Sequence, residues 1–202
     1  EDQPTWNICE YEVAARQLRR VIESDIVAEE GHDIAPHYLP DGRIVFTSTR
    51  QRQSRAVLLD EGKPQFAALD ENTGLRQISV NQSHGLDPSV VDDGRIVFSR
   101  WENAGRNNEI NLYAVRPDGT QLELLYGAQS HSTGTDESDI HFLEPRPTAN
   151  GRLLVRAQPF QPSDRGGQLL EIDVANYVEN TQPTLPNRGV LAGPAQLPAT
   201  VN

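Results

Sequence analysis

The chain contains one cysteine, Cys9, and no methionine. A single cysteine excludes an intrachain disulfide and leaves the redox compartment open. Without a second cysteine there is no C-x-x-C-H, so no c-type haem can be attached covalently. No run of 18 or more apolar residues occurs, so nothing in the sequence spans a bilayer as a helix. Basic residues are scarce: 18 Lys and Arg stand against 29 Asp and Glu, a net charge of −11. Nucleic acid and anionic membrane surfaces both call for a basic stripe, and this balance argues against either as a partner. Catalytic signatures are missing too: there is no G-x-S-x-G, H-E-x-x-H, Walker loop or G-x-G-x-x-G. Cys9 has no adjacent histidine and falls in a predicted strand, which reads as a buried bystander. The absence of any methionine and the start at Glu1 point to a processed or incompletely represented chain.

What the chain does have is an internal repeat. His32, His84 and His141 are each followed four residues on by proline (Pro36, Pro88, Pro145). Ten residues on comes glycine, then arginine and an apolar run: Gly42-Arg-Ile-Val, Gly94-Arg-Ile-Val and Gly151-Arg-Leu-Leu. The pattern is H-x3-P-x5-G-R-[IL]-[VL], spaced 52 and then 57 residues apart. A period of this size marks a solenoid, a propeller or an array of small units. The stretch from Asn7 also matches the stretch from Asn111 without gaps, at an offset of 104, twice 52.

One full repeat reads as four short strands. Leu86–Val91 is extended, because proline disfavours helix for its predecessor. Asp92-Asp-Gly94 is a turn, Arg95–Ser99 a strand and Glu102–Asn108 a polar loop. Asn111–Val115 and Gln121–Tyr126 are strands joined by the turn Pro117–Thr120. Four strands in such a span describe one blade of a β-propeller. The first repeat gives strands at Ile34–Leu39, Arg43–Ser48, Phe66–Leu69 and Leu75–Ser79, with a long loop from Thr49 to Pro64. The third gives Ile140–Glu144, Arg152–Arg156 and Gln168–Val174 and no fourth strand. Residues 8–22 have high helix propensity around Ala14–Arg20, but the ungapped match to 111–126 favours a strand hairpin. The expected fold is therefore all-β: about three four-stranded blades of an incomplete propeller. Residues 1–31 end a preceding blade, 32–80 and 84–127 are blades, 140–176 is a partial blade, and 177–202 is an extended Pro-rich tail. Closed propellers use about four to eight blades, so the remaining ones are expected from further chain or another copy.

Three stretches carry a family resemblance: Pro40–Arg50, Asp87–Phe98 and Leu112–Gly119. They resemble TolB-type propeller repeats, in which a P-x-x-x-P-D-G-x-I-x-F strand pair precedes an I-Y-x-x-x-x-D-G hairpin. Ser54–Asp70 and Leu124–His131 are closer to the propeller (middle) domain of hydrazine synthase alpha-subunit-like proteins. The resemblance covers roughly residues 32–180. It implies an extracytoplasmic propeller, periplasmic or extracellular, sometimes beside c-type haems and therefore with a cytochrome c-type partner. This chain lacks the haem-attachment motif, so hydrazine-forming activity does not carry over to it.

Candidate sites follow from the repeat. Equivalent positions in successive blades form a ring, so His32, His84 and His141 are candidate ligands for a metal, with a structural role in each blade as the stronger reading. Asp33, Asp87 and Glu144 stand beside these histidines and are placed to orient them or to cap turns. Asp136, Glu137 and Asp139 concentrate carboxylates in one loop, a candidate calcium site without the EF-hand pattern. No catalytic residue and no cofactor site is assigned. The sequence points to a non-catalytic scaffold or protein-interaction module. The alternative is the propeller domain of a redox enzyme complex whose haem chemistry lies on another domain or chain.

Overall fold

The computed structural model describes residues 5–50, 55–59, 74–80, 83–104, 107–128, 130–131, 139–159, 167–175 and 196–198. These form small antiparallel sheets with one short helix. They open with a hairpin of β1 (Cys9–Glu12) and β2 (Gln17–Arg20), followed by α1 (Asp25–Ala28). The first of three four-stranded sheets follows, from β3 (Asp33–Tyr38), β4 (Ile44–Ser48), β5 (Arg55–Leu59) and β6 (Leu75–Gln77). The next holds β7 (Gly85–Val90), β8 (Ile96–Ala104), β9 (Asn107–Val115) and β10 (Glu123–Tyr126). The last holds β11 (Ile140–Pro147), β12 (Leu153–Pro159), β13 (Gln168–Ile172) and β14 (Gln196–Pro198).

The hairpin at the start defeats local helix propensity. Glu10 pairs with Arg19, and in the later sheet Ala114 pairs with Glu123, both partners shifted by 104 residues. The registry of the repeat therefore wins over the preference of Ala14–Arg20 for helix. Among the described residues helix is confined to α1, where the Ser24 side chain accepts from the Val27 N–H as N-cap.

The core lies between successive sheets. Ile8, Val21, Val27, Ala28, Ile44, Phe46 and Leu75 fill the first interface. Leu39, Val45, Ile78, Ile96, Phe98 and Val115 fill the second. Val97, Leu112, Tyr126, Phe142, Val155 and Ile172 fill the third, with Tyr126 edge-on to Phe142 at 5.0 Å. Strand β4 is buried along its whole length, because apolar layers cover both its faces. Residues such as Ile-Val-Phe at 44–46 and 96–98 thus alternate between two cores rather than between core and water.

Four expectations change. The third strand of the first sheet is Arg55–Leu59, inside the stretch read as a loop; Phe66–Leu69 lies outside the described residues. The apolar Val57-Leu58-Leu59 run supplies the β-preference, and the arginines before it masked it. The polar loop Glu102–Asn108 is mostly strand: β8 and β9 continue outward through the pairs Glu102↔Glu109 and Ala104↔Asn107. Cys9 does lie in a strand, but it is exposed, and among the described residues β1 pairs with β2 alone. The third sheet has a fourth strand, β14, drawn from the C-terminal stretch and paired to β13 as Glu171↔Leu197. The rest of the Pro-rich tail, residues 177–195 and 199–202, lies outside the described residues.

Candidate functional site

Each letter of the repeat motif has a structural use. The proline sits on a β-bulge. Pairing shifts register between Ile34 and His37, between Leu86 and Ser89, and between Leu143 and Arg146. The residue before each proline, Ala35, Asp87 or Glu144, has φ of 53°, 51° or 53°. Proline closes the right-handed helical region to its predecessor, and here the bulge takes the left-handed region instead of the extended one expected. The glycine closes the following turn, at φ of 88°, 81° and 77° for Gly42, Gly94 and Gly151. Its N–H donates to Leu39 O, Val91 O or Thr148 O at 2.8–3.0 Å. The arginine folds back on the turn: Arg43 Nε reaches Asp41 at 2.8 Å, and Arg95 Nε reaches Asp93 at 2.7 Å.

The histidine ties one sheet to the one before. His141 Nδ1 accepts the backbone N–H of Ile110 at 3.0 Å, in a buried contact. His32 Nδ1 accepts the N–H of Trp6 at 3.1 Å, in an exposed one. Trp6 and Ile110 are the same repeat position, 104 residues apart. His84 packs against Trp101, ring centroids 5.4 Å apart; the matching position before it falls at Ser54, outside the described residues. No group of three or more His, Cys, Asp or Glu side chains is placed to share a metal among the described residues, and His32, His84 and His141 are all described. Of the acidic trio, Asp136 and Glu137 lie outside the described residues, and Asp139 is exposed just ahead of β11.

The acids beside the histidines have other uses. Asp33 is buried and forms a two-pronged pair with Arg50, whose Nη2 stands 2.8 Å from Asp33 Oδ2. Arg50 also donates to Val27 O at 2.8 Å and Ser48 Oγ at 2.9 Å, so this buried cation ties α1 to the first sheet. Burial raises the Asp33 carboxyl pKa, against the pull of Arg50. Glu144 accepts from Arg156 at 2.7 Å.

The bulges place a mixed set of charges along the first strands of the three sheets. Asp87, on β7, is raised by burial and then by the charge of Glu144 on β11, while Arg146 and Arg156 oppose the shift. His37, on β3, is lowered by burial and by Arg146. Charged groups from three sheets thus lie within electrostatic reach of one another, and this cluster is the candidate site for a polar ligand or partner. Sequence reading missed His37, Arg146 and Arg156. Their signal was available: His37 and Arg146 stand immediately after the repeat proline.

Sequence reading also missed His131. Its Nδ1 contacts Ile140 O, and its Nε2 contacts Asn111 Oδ1 at 2.7 Å, with Glu109 at 3.7 Å. Its ring lies 5.3 Å from that of His141. Burial, then the neighbouring His131, push the His141 imidazole down to about 4, with Asp139 opposing. A neutral His141 at neutral pH is the form that accepts the Ile110 N–H.

Comparison with solved structures places this arrangement. Hydrazine synthase of Kuenenia stuttgartiensis matches with a TM-score of 0.62 at 15% identity, over 82% of this chain and 28% of that one. The fold is propeller-like. A putative gluconolactonase matches at a TM-score of 0.42 and 14% identity, over 76% of this chain and 51% of that one. The chain spans well under two thirds of the length of either. No family model matches, and no curated protein matches in sequence.

Proposed function

We propose that this chain is a β-propeller segment acting as a non-catalytic scaffold or protein-interaction module, periplasmic or extracellular, within a larger protein or assembly. The observation that carries the reading is the use made of the repeated residues. Histidine ties sheets at Trp6 and Ile110, proline sets a bulge, glycine closes a turn, and arginine braces that turn at Asp41 and Asp93. A motif engaged in this way builds repeats, and repeats present a surface. The TolB-type likeness in Pro40–Arg50 and Asp87–Phe98 supports the propeller assignment and, with it, the extracytoplasmic location.

The second reading is a propeller domain of a redox complex resembling the hydrazine synthase alpha subunit, with haem on another domain or chain. The structural match to hydrazine synthase favours it. One experiment separates the two. The native assembly is isolated from its source, and its mass, metal content and visible spectrum are recorded. A mass far above 22.4 kDa with no haem band and no stoichiometric metal supports the scaffold. A strong haem band in the same particle supports the redox domain. Stoichiometric metal that disappears when His32, His84 and His141 are replaced together would overturn both.

A further inference from the structure

Charges in this repeat are ordinarily paired. Arg43 and Arg95 are held by Asp41 and Asp93, Arg152 by Glu171, Arg156 by Glu144, and the buried Arg50 by Asp33. Three half-buried ionisable side chains depart from this pattern: His37 on β3, Asp87 on β7 and Arg146 on β11. Arg146 donates to the carbonyl of its neighbour Pro145 at 3.2 Å. Among the described residues, none of the three forms an ion pair or a hydrogen bond with another side chain through its own charged or ring group. A charge drawn part-way out of water without a partner costs free energy, so such groups are expected to serve a ligand.

The bulges do not require these charges. The residue before the repeat proline is Ala35, Asp87 or Glu144, all at nearly the same φ, and the residue after it is His37, Ser89 or Arg146. Alanine and serine serve the same backbone as well. What the bulges do is gather the positions: β7 packs beside both β3 and β11. The Asp87 N–H is held by Thr47 Oγ1 of β4 at 3.2 Å, which fixes that residue's backbone against the preceding sheet. Charge joins the three groups, since Arg146 acts on both His37 and Asp87, and Glu144 acts on Asp87. Burial and Arg146 together hold His37 below the ordinary imidazole range, so at neutral pH its ring keeps one N–H to donate.

The signs of the charges select the ligand. Arg146 offers a planar fork that suits a carboxylate, and Asp87 offers a carboxylate that accepts from an ammonium. A bare anion at Arg146 would meet the repulsion of Asp87 and Glu144, and a bare cation at Asp87 would meet that of Arg146. A molecule that carries both signs answers both groups and adds no net charge to the cluster. We propose that His37, Asp87 and Arg146 form a binding site for a small zwitterion, a molecule with a carboxylate and an ammonium group of the kind an amino acid has. Arg146 takes the carboxylate, His37 adds a hydrogen bond to it, and Asp87 takes the ammonium. The site goes beyond the scaffold reading and gives that scaffold a ligand.

Glycine is the smallest probe of this kind. It is titrated into the 202-residue chain, and binding is read from the NMR shifts of the backbone amides. Acetate, methylammonium and inorganic phosphate are titrated separately. The expected result is a saturable shift with glycine at the amides flanking Pro36, Pro88 and Pro145, with each other probe about ten-fold weaker for want of one charge-assisted contact. Arg146→Gln should weaken glycine about ten-fold, and Asp87→Asn should do the same while leaving acetate as tight or tighter. Amide shifts elsewhere in the sheets show that each variant is folded. Where Arg146→Gln does not fold, Arg146→Lys, which keeps the charge and loses the fork, takes its place, and the ranking of the probes on the unsubstituted chain decides by itself. No saturable shift with glycine overturns the proposal. Acetate or phosphate binding as tightly as glycine overturns it too, and marks a plain anion site. Either failure is distinct from failure of the scaffold reading, which the mass and spectrum of the native assembly decide.

Discussion

At the scale of single residues, the tie between His141 and Ile110 should outweigh the tie between His32 and Trp6. The first is buried and the second exposed, so only the first leaves an N–H stranded away from water when the acceptor is lost. His141→Ala should cost about 1–3 kcal/mol by urea unfolding, and His32→Ala distinctly less. Equal costs would show that the two contacts do not share one physical role. The His141 imidazole also sets a pH dependence. Its folded value of about 4 lies below the ordinary 6.5, so between those values the unfolded chain binds more protons. Stability should therefore rise as pH rises from about 4 to 6.5 and level off above, by on the order of 3 kcal/mol in all. Urea midpoints across that range test this, and His141→Gln should flatten the profile. For the buried pair of Asp33 and Arg50, Asp33→Ala leaves the guanidinium to the half-exposed Glu30, 3.9 Å away, and should cost about 3 kcal/mol.

At the scale of elements, the third sheet depends on a strand from far along the chain. Removing residues 196–202 takes β14 from the edge of β13. Amides in Leu170–Ile172 should then exchange faster with solvent, while those of β7 and β8 stay slow; uniform loss of protection would contradict a local role. This strand also marks where the sequence stopped being legible. Most strands and the turns at 92–94 and 117–120 could be read, because alternation, Asp-Gly turns and the repeat agreed at 43–48 and 95–99. The hairpin at 9–20 was legible only through its match 104 residues away. Strand β5 was hidden behind Arg50, Arg52 and Arg55, whose charge imitates a loop. β14 carries no pattern of its own: three residues beside prolines gain strand geometry only from β13. The histidines were found as positions but not as contacts, since their partner is a backbone N–H, which no side-chain motif encodes. The charges around Asp87 and Glu144 were invisible as a group because three separate sheets contribute them.

At the scale of the whole molecule, sheets packed face to face through continuous apolar layers should open from the ends. The sheets of β3–β6 and β7–β10 both have core on both sides, so hydrogen exchange should be slowest in β4, β8 and β9 and fastest in β1. Slowest exchange in the first hairpin would contradict this ordering.

The direction of the histidine ties gives the row of sheets a polarity. Every observed tie runs backward, from a ring to an amide of the preceding sheet. Cutting away the last sheet takes the His141 acceptor from the Ile110 N–H, a contact buried in the intact row. Cutting away the first hairpin takes from His32 only an exposed donor, the Trp6 N–H. Two cuts of equal length are therefore not of equal consequence: the one behind the second sheet undoes a buried tie, and the one ahead of the first four-stranded sheet undoes a tie that water already reaches.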